Sequence, residues 1–386
     1  MNPSLGHRGL RLDPALFACV IALLVLGSLM VSSASITLAD STMGGPHYFL
    51  LRHFGAILIG CLGAAVALVT PMQVWFRLSG LLLLAAIALL ASVFVPGFGH
   101  TVNGSTRWLD LGPLTLQPSE PARLCLLLYL SAYVVRHHTE LTTTTLGLLK
   151  PMPVIALACG LLLAEPDFGA AVVLTVTSLG LLFVGGARLR GFFLAFAAAA
   201  AALVGLALSS PYRLQRLTTF LDPWADPFAS GFQLTQSLIA IGRGDWLGVG
   251  LGESVQKLFY LPEAHTDFIF AVMAEELGFI GVTLTIVLLG IVVFKAIAVG
   301  PRAGRLGMPF QGLVSTGIGL TLGLQAFISV GVNTGLLPTK GLTLPLVSYG
   351  RTSVVITLVA LGLLARICHE VTVAEPRARD AGKRKR

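Results

Sequence analysis

The residue best placed for chemistry is Asp267. It follows the polar run Tyr260-Leu261-Pro262-Glu263-Ala264-His265-Thr266 and precedes the apolar Phe268-Ile269-Phe270-Ala271. A carboxylate where a polar loop enters an apolar helix is partly desolvated. Desolvation raises its pKa toward that of a useful general base. The position equally suits an N-capping Asp, and the two roles are compatible. His265 matters by its place beside Asp267. A second constellation is Gln117-Pro118-Ser119-Glu120-Pro121-Ala122-Arg123. Ser119 is suited to cap a helix, with Glu120 and Pro121 in its first turn. Glu120 and Arg123, three apart, then share a face. This is either a helix start with a local ion pair or the edge of an anion site.

These residues sit among long apolar blocks. The chain has 386 residues, 55% hydrophobic and only 11% charged. Soluble domains carry roughly 25% charged residues, and runs of about 20 apolar residues read as membrane helices. The expected fold is an all-α polytopic membrane protein of about ten spans, near 14–36, 50–70, 78–96, 120–135, 151–164, 168–185, 190–209, 267–294, 309–336 and 342–367. The fifth is short, and Glu165-Pro166-Asp167 follows it at once, so the fifth and sixth are either two short spans or a re-entrant hairpin.

Arg8 and Arg11 precede the run Leu16–Val31. That run is long for a secretory signal and reads as an uncleaved first helix. With both termini cytoplasmic, most Lys and Arg fall inside, as the positive-inside rule requires. The organisation is then a cytoplasmic N-terminus (1–13), a transmembrane domain (14–367) with a large outer loop (210–266) between spans 7 and 8, and a basic, disordered cytoplasmic tail (368–386). The tail ends Lys383-Arg384-Lys385-Arg386 and suits contact with anionic lipid or a cytoplasmic partner. No basic groove with interleaved aromatics suggests nucleic acid.

Charges within or at the mouth of spans mark function by default. In this orientation Arg107, Glu120, Arg123, Asp167, Arg213, Arg216, Lys257, Glu263, Asp267, Lys340 and Arg351 fall on the outer half. Cations gathered with carboxylates there predict an anionic ligand, and Arg grips phosphate with two parallel hydrogen bonds. Glu275 and Glu276 lie deeper and must find partners in the bundle. Gly242-Arg243-Gly244, Gly248, Gly250 and Gly252 look like a nucleotide loop only superficially, since no strand precedes them. The five cysteines have neither metal nor disulfide spacing and read as packing residues.

Four segments carry a resemblance that spans nearly the whole chain. They are Asn103-Gly104-Ser105-Thr106-Arg107-Trp108 with Gln117-Pro118-Ser119-Glu120; Glu165-Pro166-Asp167-Phe168-Gly169; Phe220-Leu221-Asp222-Pro223-Trp224 through Gln236-Ser237; and Tyr260 through Phe268. The chain resembles the SEDS family (shape, elongation, division and sporulation) of bacterial cell-wall synthesis. Leu337-Pro338-Thr339-Lys340-Gly341 through Ser348-Tyr349-Gly350 points to its division branch. Two departures stand out. Arg123 replaces the usual Lys, and Gly350-Arg351-Thr352-Ser353 replaces Gly-Gly-Ser-Ser.

The resemblance implies a peptidoglycan glycosyltransferase that polymerises lipid II on the outer face of the cytoplasmic membrane. The growing glycan, linked through pyrophosphate to undecaprenol, is the donor. The 4-hydroxyl of the incoming GlcNAc is the acceptor, and the anomeric carbon inverts. Asp267 is then the general base. Arg123, with Arg107, Arg213 and Lys340, holds the pyrophosphate, and Glu120 orients Arg123 or the sugar. No cofactor is legible. A pyrophosphate leaving group leaves room for a divalent cation, but no ligand cluster can be read. The implied partners are a class B penicillin-binding protein (the division transpeptidase) and other divisome proteins. A lipid II flippase, with Glu275 and Glu276 as its best residues, and a non-catalytic scaffold are the competing functions.

Overall fold

A computed structural model describes residues 13–384 except 103–104, 111, 113–114 and 209–210. The order of elements is α1 (Pro14–Met43), α2 (Tyr48–Val69), α3 (Met72–Ser92), β1 (Gly99–Val102), β2 (Ser105–Asp110), β3 (Thr115–Leu116), α4 (Ser119–Arg136), α5 (His138–Thr143), α6 (Thr145–Leu149), α7 (Met152–Ala164), α8 (Phe168–Val184), α9 (Leu189–Leu208), α10 (Pro211–Leu221), α11 (Phe232–Gly244), α12 (Ile269–Arg305), α13 (Pro309–Asn333) and α14 (Arg351–Arg384). Every expected span overlaps a helix. Eight helical stretches among the described residues are long and apolar enough to cross a membrane, one of them Thr145–Ala164, which joins α6 to α7. The two remaining expected spans fall on α4, which carries Glu120, Arg123 and Arg136, and on the shorter apolar helix α8. The chain is a multi-pass helical membrane protein.

Charge settles where α4 sits. A lipid-facing helix cannot carry an ionised pair cheaply, whereas a central one can satisfy it internally. Accordingly α4 buries Glu120 and Arg123 and packs on α3, α8 and α13. The outer helices show the opposite pattern. Leu58, Leu62 and Val66 of α2 are exposed apolar residues on one face, as a surface meeting lipid tails should be. The other face of α2 lies on α14. There a Cβ on Gly362 would stand 2.5 Å from the Ala64 carbonyl oxygen, so a small residue sets this close helix crossing.

Four differences from the sequence reading have clear causes. The last span begins at Arg351, not near 342, so Arg351 opens the helix rather than lying within it. Pro338, Pro345 and the positive φ of Leu346 keep 334–350 irregular. The expected disordered tail is helical backbone through Arg384, so α14 runs straight across the 367/368 boundary. Ser119 does not cap α4: Pro118 occupies the N-cap position and the Ser119 hydroxyl is buried without a partner. The outer segment before α4 folds into a three-stranded antiparallel sheet in the order β1-β2-β3, which alternation in so short a stretch did not announce.

Candidate active site

The sheet, the α7–α8 turn, α10 and the 334–350 segment converge on Asp267. The polar loop before it is held by its backbone. The Glu263 carbonyl accepts from the amides of Thr266 (3.2 Å) and Phe268 (3.2 Å), and Glu263 adopts a left-handed φ of 57° to do so. Asn333, fully buried at the end of α13, donates from Nδ2 to the Asp267 carbonyl (2.9 Å). Its Oδ1 accepts from the Ala271 amide (3.1 Å). Asn333 thereby caps the start of α12 and fixes the backbone that carries the carboxylate. On the other side, Gly341 lies so close that a Cβ there would stand 2.8 Å from Asp267 Oδ2.

Asp267 keeps partial exposure. Burial, reinforced by Glu263, pushes its pKa up to about 7. Arg107 and Arg216 pull the other way, and Asp167 adds to the rise. The group is therefore poised between acid and base near neutrality, as a general base requires.

Of the cations expected here, Arg107 is within electrostatic reach of it. Arg107 reaches across from β2 and donates to the carbonyls of Glu165 (3.2 Å) and Pro166 (2.6 Å) at the α7–α8 turn. Lys340 is the neighbour of Gly341, and its Nζ lies 4.4 Å from the centre of the Phe168 ring. Arg213 belongs to α10, but its side chain lies outside the described residues. Arg216, one turn further on, donates to the Thr339 carbonyl (3.0 Å) and is within electrostatic reach of Asp267. Asp167 caps α8 through the Ala170 amide (3.1 Å) and accepts from Gln117 Nε2 (3.3 Å).

The remaining expected residues sit elsewhere. Glu120 and Arg123 do form their ion pair, but it is buried inside the bundle, not open at the rim. Nε and one terminal nitrogen of Arg123 find no protein partner. The pair borders a cavity of about 30 Å³ with Thr321, Gln325 and Thr357, room for a water molecule to satisfy those donors. Gln325 links this interior to the site: its Nε2 donates to the Thr343 carbonyl (3.0 Å), two residues from Gly341. His265 packs between Phe49 (4.9 Å between ring centres) and Tyr349 (5.5 Å), and its carbonyl accepts from the Tyr349 amide (2.9 Å). It anchors the loop.

Residues 14–373 match the family described as cell cycle protein, with FtsW, RodA and SpoVE as its name-givers. The chain belongs to this family. A curated FtsW relative from Thioalkalivibrio sulfidiphilus, named probable peptidoglycan glycosyltransferase FtsW, is 53% identical over 366 residues. The match covers 95% of this chain and 92% of that one. A relative of the same name from Nitrosococcus halophilus is 52% identical over 355 residues, covering 92% of each. Among solved structures, the fold matches a chain from work on the structural coordination of polymerization and crosslinking by a peptidoglycan synthase complex. Its TM-score is 0.75 at 31% identity, covering 94% of this chain and 99% of that one. It also matches the rod shape determining protein RodA of Thermus thermophilus, with TM-score 0.66, 28% identity and coverage of 94% and 98%.

The FtsW/RodA/SpoVE member described here has further site residues that its motifs did not single out. Asn333, Gly341 and Arg216 reach Asp267 through tertiary contacts. Asn333 had only proximity to a span end as its signal in sequence, Gly341 membership of a recognised stretch, and Arg216 its place among the outer-half cations. Glu165 is also notable. It is buried with neither carboxylate oxygen bonded, and burial, then Asp167, push its pKa up to about 8 against the pull of Arg107. Among the described residues no group of three or more His, Cys, Asp or Glu is arranged to hold a metal ion. The cations within reach of Asp267 are the guanidinium groups of Arg107 and Arg216.

Proposed function

We propose that this chain is a peptidoglycan glycosyltransferase that polymerises lipid II at the division septum, on the outer face of the bacterial cytoplasmic membrane, with both termini in the cytoplasm. The observation that carries the reading is Asp267, its backbone clamped by Asn333 and its carboxylate without a hydrogen bond among the described residues, within electrostatic reach of Arg107 and Arg216. Family membership and the names of the FtsW relatives support the same activity.

In this mechanism Asp267 accepts the proton of the GlcNAc 4-hydroxyl as that oxygen attacks the anomeric carbon of the lipid-linked glycan. The bond from that carbon to the pyrophosphate oxygen breaks, configuration inverts, and undecaprenyl pyrophosphate leaves. Negative charge grows on the leaving oxygen, and Arg107, Arg216 and Lys340 are the cations able to meet it. Glu120 and Arg123 share a cavity with Gln325, whose bond to Thr343 holds the segment that carries Lys340 and Gly341. A divalent cation at the pyrophosphate is compatible with these steps. The class B penicillin-binding protein that cross-links the strands is the expected partner, in keeping with the synthase complex that the fold resembles.

The transport reading has Glu275 and Glu276 as its best residues. Both are tied up. Glu275 pairs with Arg243 (2.9 Å) and accepts from Ser254, and Glu276 pairs with Lys257 (2.7 Å) and accepts from Ser33 (2.7 Å). The deciding measurement is lipid II polymerisation by purified wild type and Asp267→Ala, with melting temperature as a fold control. Polymer from the variant at the wild-type rate would falsify the assignment of the base. Lipid II translocation by a wild type that makes no polymer would transfer the function to transport.

A further inference from the structure

On the flank of the bundle, α2 and α14 border a groove that this reaction leaves unused. Its volume is about 290 Å³. Ile59, Val355 and Ile356 give it an apolar floor, and Arg52, Arg351 and Thr115 line its mouth. The mouth lies at the end of the bundle that carries the sheet and the Asp267 loop, since Arg52 is in the second turn of α2 and Arg351 opens α14. No carboxylate lines the groove. Arg52 stacks on the Tyr48 ring at 4.3 Å and makes no ion pair among the described residues. Arg351 donates to the Thr115 hydroxyl. Both guanidinium groups are within electrostatic reach of the Tyr349 phenol, which places them at one mouth.

Cations above an apolar trough in a membrane-facing surface fit one kind of molecule. A free phosphate has no use for the trough, and a neutral acyl chain has none for the two charges. A lipid phosphate uses both: Arg offers paired donors to its oxygens, and the floor takes the chains. Phe49, His265 and Tyr349 pack together beside the loop of Asp267, and neither Asp267 nor Arg107, Arg216 or Lys340 lines the groove. A lipid seated here is therefore not presented to the base, which favours a resident membrane lipid over the reacting one. We propose that the groove binds an anionic phospholipid of the outer leaflet, its phosphate held by Arg52 and Arg351. The site also reaches the reaction. Tyr349, two residues before Arg351, holds the His265 carbonyl by its amide (2.9 Å). A bound lipid steadies that contact and with it the loop of Asp267.

The test is native mass spectrometry of the full-length purified protein with phosphatidylglycerol and phosphatidylcholine supplied together. Wild type should retain phosphatidylglycerol preferentially, and Arg52→Gln/Arg351→Gly should lose that preference by about tenfold or more, given the worth of each basic contact to an anionic lipid. Arg351→Lys should keep part of it. Equal retention of the two lipids by wild type overturns the proposal, and that reading needs no variant to fold. Undiminished preference in a folded double variant overturns it as well. So does displacement of phosphatidylglycerol by undecaprenyl pyrophosphate at equal concentration, which would make the groove a substrate subsite. Lipid retention is scored without turnover, so it stands or falls apart from the glycosyltransferase assignment. If that assignment holds, polymerisation in nanodiscs should fall severalfold when phosphatidylcholine replaces phosphatidylglycerol, for wild type but not for the double variant.

Discussion

Asp267 and the pair Glu275–Glu276 lie about two turns apart in the same stretch of chain, and the protein treats them in opposite ways. Each deep glutamate has a cationic partner and hydroxyl or amide donors: Arg243, Ser254 and the Val255 amide for Glu275, Lys257 and Ser33 for Glu276. Asp267 has cations within reach, yet no hydrogen bond to its carboxylate is found among the described residues, and its pKa rises to about 7. Its backbone is clamped, by Asn333 and by the loop, while its side-chain oxygens are left for another molecule. A carboxylate satisfied by the fold stabilises the fold. One held in place but left unsatisfied is available for catalysis.

The sharpest way to break this contrast is Asp267→Asn. Removing a general base should lower polymerisation by about 10³-fold, measured with purified lipid II. The protein should melt higher than wild type above pH 8. The sign follows from the raised pKa: the folded state favours protonated Asp267, so stability linked to it is present at low pH and lost as pH rises through about 7. Asn has no such loss.

Lys257→Met attacks the other member. It leaves Glu276 charged and buried and should cost about 3–5 kcal/mol of stability, whereas Lys257→Met with Glu276→Leu should recover most of it. Thermal unfolding in detergent reads both. If the single variant is as stable as wild type, the pairing does not support the fold. Gly341→Ala places a methyl where the Asp267 oxygen now sits. A displaced base should cost up to about 10²-fold in rate, with melting temperature nearly unchanged. The pH profile is a gentler probe. Between pH 6 and 8 the rate should rise about tenfold with a midpoint near 7, because the ionised base is the active form. A flat profile would show that Asp267 does not titrate in the rate-limiting step. Arg107→Lys is the mildest change. It keeps the charge but loses the paired donors that hold Glu165 and Pro166, and should slow the reaction severalfold.

Much of this was legible in sequence. Spans follow from composition because lipid leaves a backbone few options, and Asp267 stands out where polar chain meets apolar chain. Depth was harder to read. Glu120 and Arg123 share a helix face as spacing dictates, but only packing against α8 and α13 turns that face inward. Arg351 looked internal because apolar residues continue before it. The prolines and glycines of 334–350 prevented a helix there, and that stretch instead folds back to bring Gly341 against Asp267. Asn333 carried no local signal, since its bonds to Asp267 and Ala271 cross some 60 positions of sequence.

The break in α12 at Gly278, with φ of 66°, has a mechanical consequence. Where the helix loses its own ladder, the chain after α11 supplies one. The amides of Phe279 and Ile280 bond to the carbonyls of Asp245 (2.8 Å) and Trp246 (3.2 Å), while those of Val249 and Gly250 bond to the carbonyls of Glu275 (2.9 Å) and Glu276 (3.2 Å). Two strands of backbone are spliced across the gap. A protease cut between residues 251 and 260 would leave both new ends tied to the bundle, so a nicked chain should migrate as one body until denatured. Force applied to this loop by a bound protein would pass directly into the membrane helix.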